Sequence, residues 1–444
     1  MPQEAWTPVG VASLDLLDQE PPEISDAATG SVLVLVRLHT RTVGVVQLDL
    51  AAGETVGDHR ERLRSTFRED LDIHRERFGC AVALGVEVAD AEAPCLAQRR
   101  SLLLDAPTVS VIVATHNRPE LLSRCLQSLL SQEHPPHEVV VVDNARSSDT
   151  TERLVQSDLY ASRGVRYIRE DIPGLGRAHN AGAASATGDI LAITDDDVIT
   201  DRHWLSALLE AFVESDAGCV TGLILPVELR TREQSWVEQY GGFARGFRKR
   251  SYSLTFPPDG DPLFPFAAGR FGSGANMAFT RAALESVGGF DPALGAGTKA
   301  QGGDDLAAFA RTLLAGLTLV YQPDAVVRHL HHDSYAALHR MAHGYGVGLG
   351  AYLASVLSAQ PRLIGEFVRR LPAGVKHLTS HDSEKNRNIG ADYPRQLVLS
   401  ERVGLLRGPF SYIASRRANA RVDRVCQVAE PGTRRSSTSA GEAP

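Results

Sequence analysis

Three consecutive aspartates, Asp195, Asp196 and Asp197, close the apolar run Asp189-Ile-Leu-Ala-Ile-Thr194. Side chains alternate along an extended chain, so Asp195 and Asp197 point one way and Asp196 the other. Two carboxylates on one side repel each other unless a cation lies between them. Oxygen ligands suit Mg²⁺ or Mn²⁺, which keep several waters and bridge to substrate phosphates. The plainer alternative is a solvated acidic turn that caps a helix beginning near His203-Trp204. Three acids directly after a buried strand are costly for a turn alone, which favours the metal. His329, His331 and His332 follow the apolar strand Ala325–Val327. Alternation sets His329 and His331 on one face, where one of them could complete a metal shell; the alternative is a set of structural histidines.

Asp304 and Asp305 follow Gly302-Gly303 and open a helix with Leu306, Phe309 and Leu313 on one face. Asp304 could be an N-cap and Asp305 a residue favoured by the helix dipole. Either could instead be a general base, since a hydroxyl nucleophile needs a carboxylate within hydrogen-bond reach. Asp143-Asn144 ends another apolar run, where a carboxylate could serve a base or ribose, or cap a helix. The loop Thr115-His-Asn-Arg-Pro-Glu120 has no glycine, which weighs against a P-loop or a dinucleotide fingerprint. Gly174-Leu-Gly176 is a lone pair of glycines. With Arg177 and Asn180 it could hold a diphosphate, or be a plain turn before a small-residue helix. Phe243, Arg245, Phe247, Arg248, Lys249 and Arg250 form a basic, aromatic loop, either solvated or suited to a phosphate-bearing group.

These residues need a frame, and residues 107–330 alternate strand and helix. Val109–Ala114 and Val139–Val142 are short continuous apolar runs of the kind buried on both faces, and Val165–Ile168 and Asp189–Thr194 follow the same rule. Between the first two, Asn117 and Glu120 resemble a capping box, followed by Leu122, Cys125, Leu126 and Leu129 at helical spacing. The alternation predicts a parallel, doubly wound α/β sheet, with its ligand beyond the carboxyl ends of the strands. Residues 1–104 read as a separate small unit: a hairpin over Ser31–Leu50 and a surface helix over Asp58–Phe78, with no catalytic constellation. Docking, partner binding or partial cover of the next domain are its expected roles. Residues 331–428 read as a helical extension, and 429–444 as a disordered tail rich in Ser, Thr, Gly and Pro.

The 444-residue chain has 43% hydrophobic and 23% charged residues, the balance of a soluble globular protein. A formal charge of −8 argues against a nucleic-acid-coating role. Cys80, Cys95, Cys125, Cys219 and Cys426 include no C-x-x-C pair, which argues against a disulfide framework or a zinc knuckle and fits reduced cytoplasm. Met1 to Trp6 shows no leader pattern. Met341 to Pro361 carries no Asp, Glu, Lys or Arg, yet its four glycines, His343 and low leucine content argue against a membrane span. Arg362, Arg369, Arg370 and Lys376 follow, which fits surface contact with an anionic membrane.

Taken in order, Val109-Ser-Val-Ile-Val-Ala-Thr-His-Asn-Arg118, Val140-Val-Val-Asp-Asn144, Gly174 to Gly188 leading into Asp195-Asp-Asp197, Gly274-Ala-Asn-Met-Ala278, Gly288-Gly-Phe-Asp291, Gly303-Asp-Asp305 and His329 resemble a family-two glycosyltransferase over roughly residues 107–335. The resemblance implies a Rossmann-like GT-A nucleotide-diphospho-sugar transferase fold, with a small α+β N-terminal domain and a helical C-terminal extension. It implies an inverting transfer from a nucleotide-diphosphate sugar to a saccharide, lipid-linked or small-molecule acceptor, assisted by Mg²⁺ or Mn²⁺. Carried over, Thr115 and Glu120 lie near the nucleoside, Asp143 holds the base or ribose, Asn117, Arg118 and Asn144 belong to the donor site, and Arg177 and Asn180 lie near the diphosphate. Asp195, Asp196 and Asp197 form the D-x-D region, with His329 or His331 as the metal histidine. Asp305 is the base; Asp304 stands where the family often has Glu. Trp204, Asn276, Gly289, Phe290 and Asp291 border the acceptor. Two rival readings are a nucleotidyltransferase on a similar nucleotide site and a non-catalytic module that binds a nucleotide sugar.

Overall fold

The apolar runs become inner strands of one large sheet in a computed structural model that describes residues 6–17, 22–24, 30–80, 93–240, 242–258, 260–380, 383, 385–386, 388–390 and 392–429. The expected tail lies, from residue 430 onward, outside the described residues.

At the N-terminal end, β1 (Gly10–Asp15), β2 (Glu23–Ile24), β3 (Ser31–Leu38) and β4 (Arg41–Asp49) form a sheet in the order β2-β1-β3-β4. The β3–β4 hairpin is the predicted one. Its turn residues, His39 and Thr40, both have positive φ, 45° and 74°, the conformation that matches the twist of a two-residue hairpin. The parallel pairing of β1 with β3 was not legible in the sequence. The predicted surface helix is two helices, α1 (Arg60–Thr66) and α2 (Arg68–Phe78), interrupted at Phe67, which packs with Leu63 and Leu71 on the small sheet's core. Helix α3 (Pro94–Leu102) leads into the large domain.

There the elements run β5 (Val109–Thr115), α4 (Pro119–Leu129), β6 (Glu138–Asn144), α5 (Thr150–Val155), α6 (Asp158–Ala161), β7 (Val165–Glu170), α7 (Leu175–Ser185), β8 (Ile190–Asp195), β9 (Val198–Thr200), α8 (Trp204–Glu214) and β10 (Ala217–Pro226). They continue with α9 (Arg232–Gln239), β11 (Arg250–Tyr252), β12 (Met277–Thr280), α10 (Arg281–Ser286), α11 (Asp304–Leu314) and β13 (Thr318–His329). The sheet order is β11-β13-β10-β12-β8-β5-β6-β7, with β9 paired to β13. Strands β8, β5, β6 and β7 are parallel, as the alternating runs predict. The sheet as a whole is mixed, which corrects the expectation of a parallel one. The short β12 slots between β8 and β10 antiparallel to both, and β9 and β11 run antiparallel to β13. Strand β7 is an edge strand with only Val165 buried, so it does not follow the both-faces rule expected of it. Helices cover both faces: Val109, Val111 and Val113 pack on α4 and α8, while Ile112, Val140 and Ile193 pack toward α7 and α11.

The N-terminal sheet is docked on this domain. Leu35 packs with Leu223, Leu225 and Val326. Arg37 meets Asp201 at 2.5 Å, and Arg41 meets Glu210 at 2.5 Å and Asp324 at 3.0 Å. Arg99 of α3 reaches the same Glu210 at 2.9 Å.

The C-terminal extension is α12 (Tyr335–Ala359), α13 (Ile364–Thr379) and α14 (Arg395–Ala429). The uncharged stretch from Met341 falls mostly within α12 and lies on protein. At Gly346 and Gly350 a Cβ would overlap the carbonyl oxygens of Glu401 and Leu405, so these glycines let α14 approach backbone to backbone. Among the described residues no helix is long and apolar enough to cross a membrane.

Candidate active site

Strand register gathers the predicted residues at one edge. Thr115 pairs with Asp143, and Ala114 with Asp195, so the ends of β5, β6 and β8 stand side by side. The pairing of β9 with β13 sets Val198 opposite His329, which brings His329 next to Asp197.

The strand ends at Asp195, and Asp196 and Asp197 lie in the turn that follows, so strict alternation does not extend through the triple aspartate. Asp196 turns inward and is buried; it accepts hydrogen bonds from Thr115 Oγ1 at 2.7 Å and Arg118 Nη1 at 3.2 Å. Asp197 Oδ2 accepts from the same Arg118 nitrogen at 3.2 Å. Its Oδ1 is buried with no hydrogen-bond donor among the described residues, and faces His329 Nε2 at 3.4 Å. Burial first, then the charges of Asp197, Asp196, Asp304 and Asp305, drive the Asp195 carboxyl well above the usual carboxylate range. The triple aspartate caps no helix: His203 is the N-cap of α8, and Asp201 Oδ1 accepts from His203 N at 3.0 Å in the turn before it.

The histidines are wired in series. His331 Nε2 lies 2.7 Å from Glu238 Oε1, and His331 Nδ1 lies 3.1 Å from His329 Nδ1. With Glu238 ionised, His331 donates its Nε2–H to it and accepts at Nδ1. His329 then donates its Nδ1–H and keeps a lone pair on Nε2; the tautomers are assigned from this network. Burial lowers His329 to about 4, so the ring is neutral near pH 7. A lone pair on His329 Nε2 facing an undonated oxygen of Asp197 fits a cation, and the Glu238–His331 relay is the carboxylate–imidazole support that metal-bound histidines use. His331 thus orients the His329 ring, and His329 Nε2 faces Asp197 Oδ1.

Asp305 is half-buried at the start of α11. Its Oδ2 accepts from Gly274 N and its Oδ1 from Leu306 N, both at 2.8 Å. Burial, followed by the neighbouring Asp304, raises it to about 6. Asp304 is only 4% exposed and faces His179 Nδ1 at 3.4 Å. It is not an N-cap, because Gly303, at φ 83°, holds that position.

Asp143 is fully buried. Its Oδ2 accepts from Tyr167 Oη at 3.1 Å, while Oδ1 has no partner among the described residues. It does not cap a helix, since Asp149 precedes α5. Asn144 ties the next loop instead, accepting from Gly174 N at 2.9 Å and donating to Ile172 O at 2.8 Å. The capping box expected of Asn117 and Glu120 does not form: Arg118 is the N-cap, ahead of Pro119. Asn117, at φ 54°, accepts from Ser147 N, and Glu120 is exposed.

Several expected substrate contacts are framework. Trp204 and Asn276 are both fully buried; Trp204 Nε1–H donates to Asn276 Oδ1 at 2.9 Å, and Asn276 donates to Leu223 O and Ala325 O. Asn180 donates to Phe290 O and accepts from Phe290 N, each at 2.8 Å, which holds the Gly289 turn; Phe290 is buried. Asp291 Oδ2 accepts from Ser355 at 2.6 Å and Tyr412 at 3.0 Å. These five positions bind elements together: Trp204, Asn276 and Phe290 are buried, Asn180 and Asp291 are half-buried, and their polar atoms are engaged within the fold. Arg177 reaches α14, donating twice to Asn419 Oδ1.

The sequence reading missed Glu238 and Tyr345, and placed Phe243 only in a basic, aromatic loop rather than beside the histidines. The Phe243 ring is tilted against the His329 ring at 5.5 Å and lies edge-on to Tyr345 at 6.5 Å, and Tyr345 lies within electrostatic reach of Asp305, Asp195 and Asp197. A small recess of about 30 Å³ lies there, lined by Tyr240, Phe243, Tyr345 and Tyr393 among others. Tyr345 sits in the glycine-rich helix, whose uncharged composition drew attention only as a membrane question.

The Glycosyl transferase family 2 model matches residues 110–284. An uncharacterized glycosyltransferase from Nostoc sp. is 28% identical over 184 residues, covering 41% of this chain and 54% of that protein. A glucosyl-dolichyl phosphate glucuronosyltransferase from Haloferax volcanii is 26% identical over 191 residues, covering 41% and 56%. The chain thus spans about half the length of these relatives. Among solved structures, a mannosyltransferase from Pyrobaculum calidifontis in complex with GDP-Man and Mn²⁺ aligns at TM-score 0.43 and 20% identity, covering 76% of this chain and 82% of that one. The match spans β5 to α10 and takes in Asp143 and the Asp195–Asp197 turn, so the similarity to the Glycosyl transferase family 2 falls on residues 110–284.

Proposed function

We propose that the protein is an inverting glycosyltransferase that moves a sugar from a nucleotide-diphosphate donor to an acceptor hydroxyl, with Mg²⁺ or Mn²⁺ held by Asp195, Asp197 and His329. The observation that carries this reading is the undonated Asp197 oxygen facing His329 Nε2, at the sheet edge that Asp305 shares. The metal, when bound, supplies positive charge to the departing nucleoside diphosphate. Arg118 holds Asp196 and Asp197 in place. Asp143, buried with one oxygen lacking a donor among the described residues, is set to accept from the nucleoside. Asp305, anchored by two backbone N–H groups, takes the proton of the attacking hydroxyl, which displaces the diphosphate from the opposite side of the anomeric carbon. Holding both substrates in line contributes about 7–11 kcal/mol where the fit is good. The aromatic recess beside Tyr345 is the candidate acceptor entrance in place of Trp204 and Asn276.

The reading is tested with a panel of nucleotide sugars and Mn²⁺. Release of nucleoside diphosphate with an inverted glycoside, seen by NMR, supports it. Pyrophosphate release would point to nucleotidyl transfer, and donor binding without turnover across an acceptor panel to a binding module.

The C-terminal helices support a cytoplasmic protein that contacts the inner membrane face peripherally. Leu399, Val403, Leu406, Phe410 and Ile413 form an exposed stripe along α14, with Arg402 and Arg407 also exposed. Helix α13 repeats the pattern with Ile364, Val368, Leu371 and Val375 beside Arg369 and Lys376. Apolar stripes bordered by cations suit an anionic bilayer. Sedimentation with phosphatidylglycerol vesicles but not phosphatidylcholine vesicles is the expected result, and equal recovery in both supernatants would remove the contact.

A further inference from the structure

The N-terminal unit, in which the sequence showed no constellation, brings together two histidines and two cysteines. His39 sits in the β3–β4 turn, His74 on α2, Cys80 directly after the left-handed Gly79 that ends α2, and Cys95 in the first turn of α3. One ligand atom from each lies within 4.8 Å of all the others. His39 Nδ1 is 3.3 Å from His74 Nε2 and 3.4 Å from Cys95 Sγ. His74, Cys80 and Cys95 are buried, with 5%, 1% and 1% exposure, and His39 is half-buried.

We infer that His39, His74, Cys80 and Cys95 form a structural Zn²⁺ site. A tetrahedral zinc with Zn–N near 2.05 Å and Zn–S near 2.3 Å has N–N edges of about 3.4 Å and N–S edges of about 3.5 Å. The two separations above have those lengths. Charge agrees as well: two thiolates and two neutral imidazoles balance one divalent cation, so the buried complex is neutral. Four protein ligands close the coordination sphere, which is the structural and not the catalytic arrangement.

The position gives the site a task. The hairpin turn that carries His39 continues into Arg41, and α3, which carries Cys95, continues to Arg99. Both guanidiniums bind Glu210 of the transferase domain, and Arg99 also donates to Thr40 Oγ1 at 2.9 Å. A zinc here ties together the turn, the end of α2 and the start of α3, and so sets the two arginines at the joint between the units. The sequence concealed it because the four ligands come from three separate elements with no C-x-x-C spacing.

The test uses the full chain, freed of any affinity tag and purified from zinc-supplemented cells. Elemental analysis should find about one zinc per chain, and Cys80→Ser and Cys95→Ser should each lower that content at least about tenfold. Cys219→Ser, in the sheet core, should keep it. Cobalt exchanged into the wild-type chain should give the intense visible bands of a tetrahedral thiolate site, a readout that does not depend on whether a variant folds. Wild-type chain with no tightly held zinc and no such cobalt bands overturns the site. So does a Cys80–Cys95 disulfide found by mass spectrometry of unreduced peptides. Loss of Mn²⁺-dependent donor binding alone, with zinc retained, bears on the transferase site and leaves this one standing.

Discussion

The backbone N–H of Gly274 donates to Asp305 Oδ2 at 2.8 Å, across the gap between the loop before β12 and the first turn of α11. With Leu306 N on the other oxygen, the carboxylate is held in one orientation while its remaining lone pairs stay available for a substrate proton. Asn in its place keeps size and polarity but cannot take up that proton. Asp305→Asn should therefore bind donor with little change and lose roughly 10²–10⁴-fold in turnover. Calorimetry with Mn²⁺ and a steady-state assay measure the two halves, and full turnover in the variant removes Asp305 as the base.

The same residue should set the pH profile. Burial, and then Asp304, raises Asp305 to about 6, so the folded protein favours its protonated form more than an exposed carboxyl would. The base works only as carboxylate. Activity should therefore fall as pH drops through about 6, with kcat/KM flat above it. Asp304→Asn removes the neighbouring charge and should move the acid limb to lower pH. An unmoved limb would mean that another group controls it.

The Glu238–His331–His329 relay predicts a graded loss. His329→Ala removes the facing nitrogen and should abolish Mn²⁺-dependent donor affinity. Glu238→Gln leaves every facing ligand in place but removes the acceptor that sets both tautomers, and should weaken Mn²⁺-dependent affinity about 10–100-fold. Titration of each variant with Mn²⁺ at fixed donor separates the two. Equal affinity for wild type and Glu238→Gln would disconnect the relay from the metal.

The parts of this arrangement that the sequence displays are those built on continuous local patterns. Val109–Ala114 and Val139–Val142 are legible as inner strands because nearly every residue is apolar, and the Asp195–Asp197 turn is legible because acids at the end of such a strand lack a cheap structural role. What stays hidden depends on distant partners. The four-residue β12 carries too short a pattern to reveal that it splits β8 from β10. Nothing near His331 shows that Glu238 will claim it. Trp204 and Asn276 look like ligand contacts because they are large or polar near the site, yet they satisfy each other inside the core. Asn180 and Phe290 are the same case, 110 residues apart.

At the joint between the units, Glu210 accepts from both Arg41 and Arg99 and is 3% exposed. Glu210→Ala would leave two buried guanidiniums sharing Asp324, 3.0 Å from Arg41 and 3.6 Å from Arg99. Removing one partner of a buried ion network costs about 3–5 kcal/mol. Urea unfolding should show that loss. A loss under about 1 kcal/mol would place the pairs in effectively solvated surroundings.

The α12–α14 contact is the last relationship with a measurable consequence. Gly350 lies under the Leu405 carbonyl, with Gly408 Cα 3.0 Å from where its Cβ would be. A branched side chain there must push α14 away or distort α12, at a cost of about 1–3 kcal/mol for overpacking and more if the helix detaches. Helix α14 also carries Tyr412 and Asn419, which hold Asp291 and Arg177 from outside the sheet. Gly350→Val should thus lower Tm, expose α14 to limited proteolysis and weaken donor affinity together, whereas Gly365→Val, at a glycine with open space around it, should do none of these. A Gly350→Val protein with wild-type Tm and an uncut α14 would show that the two backbones do not meet at this glycine.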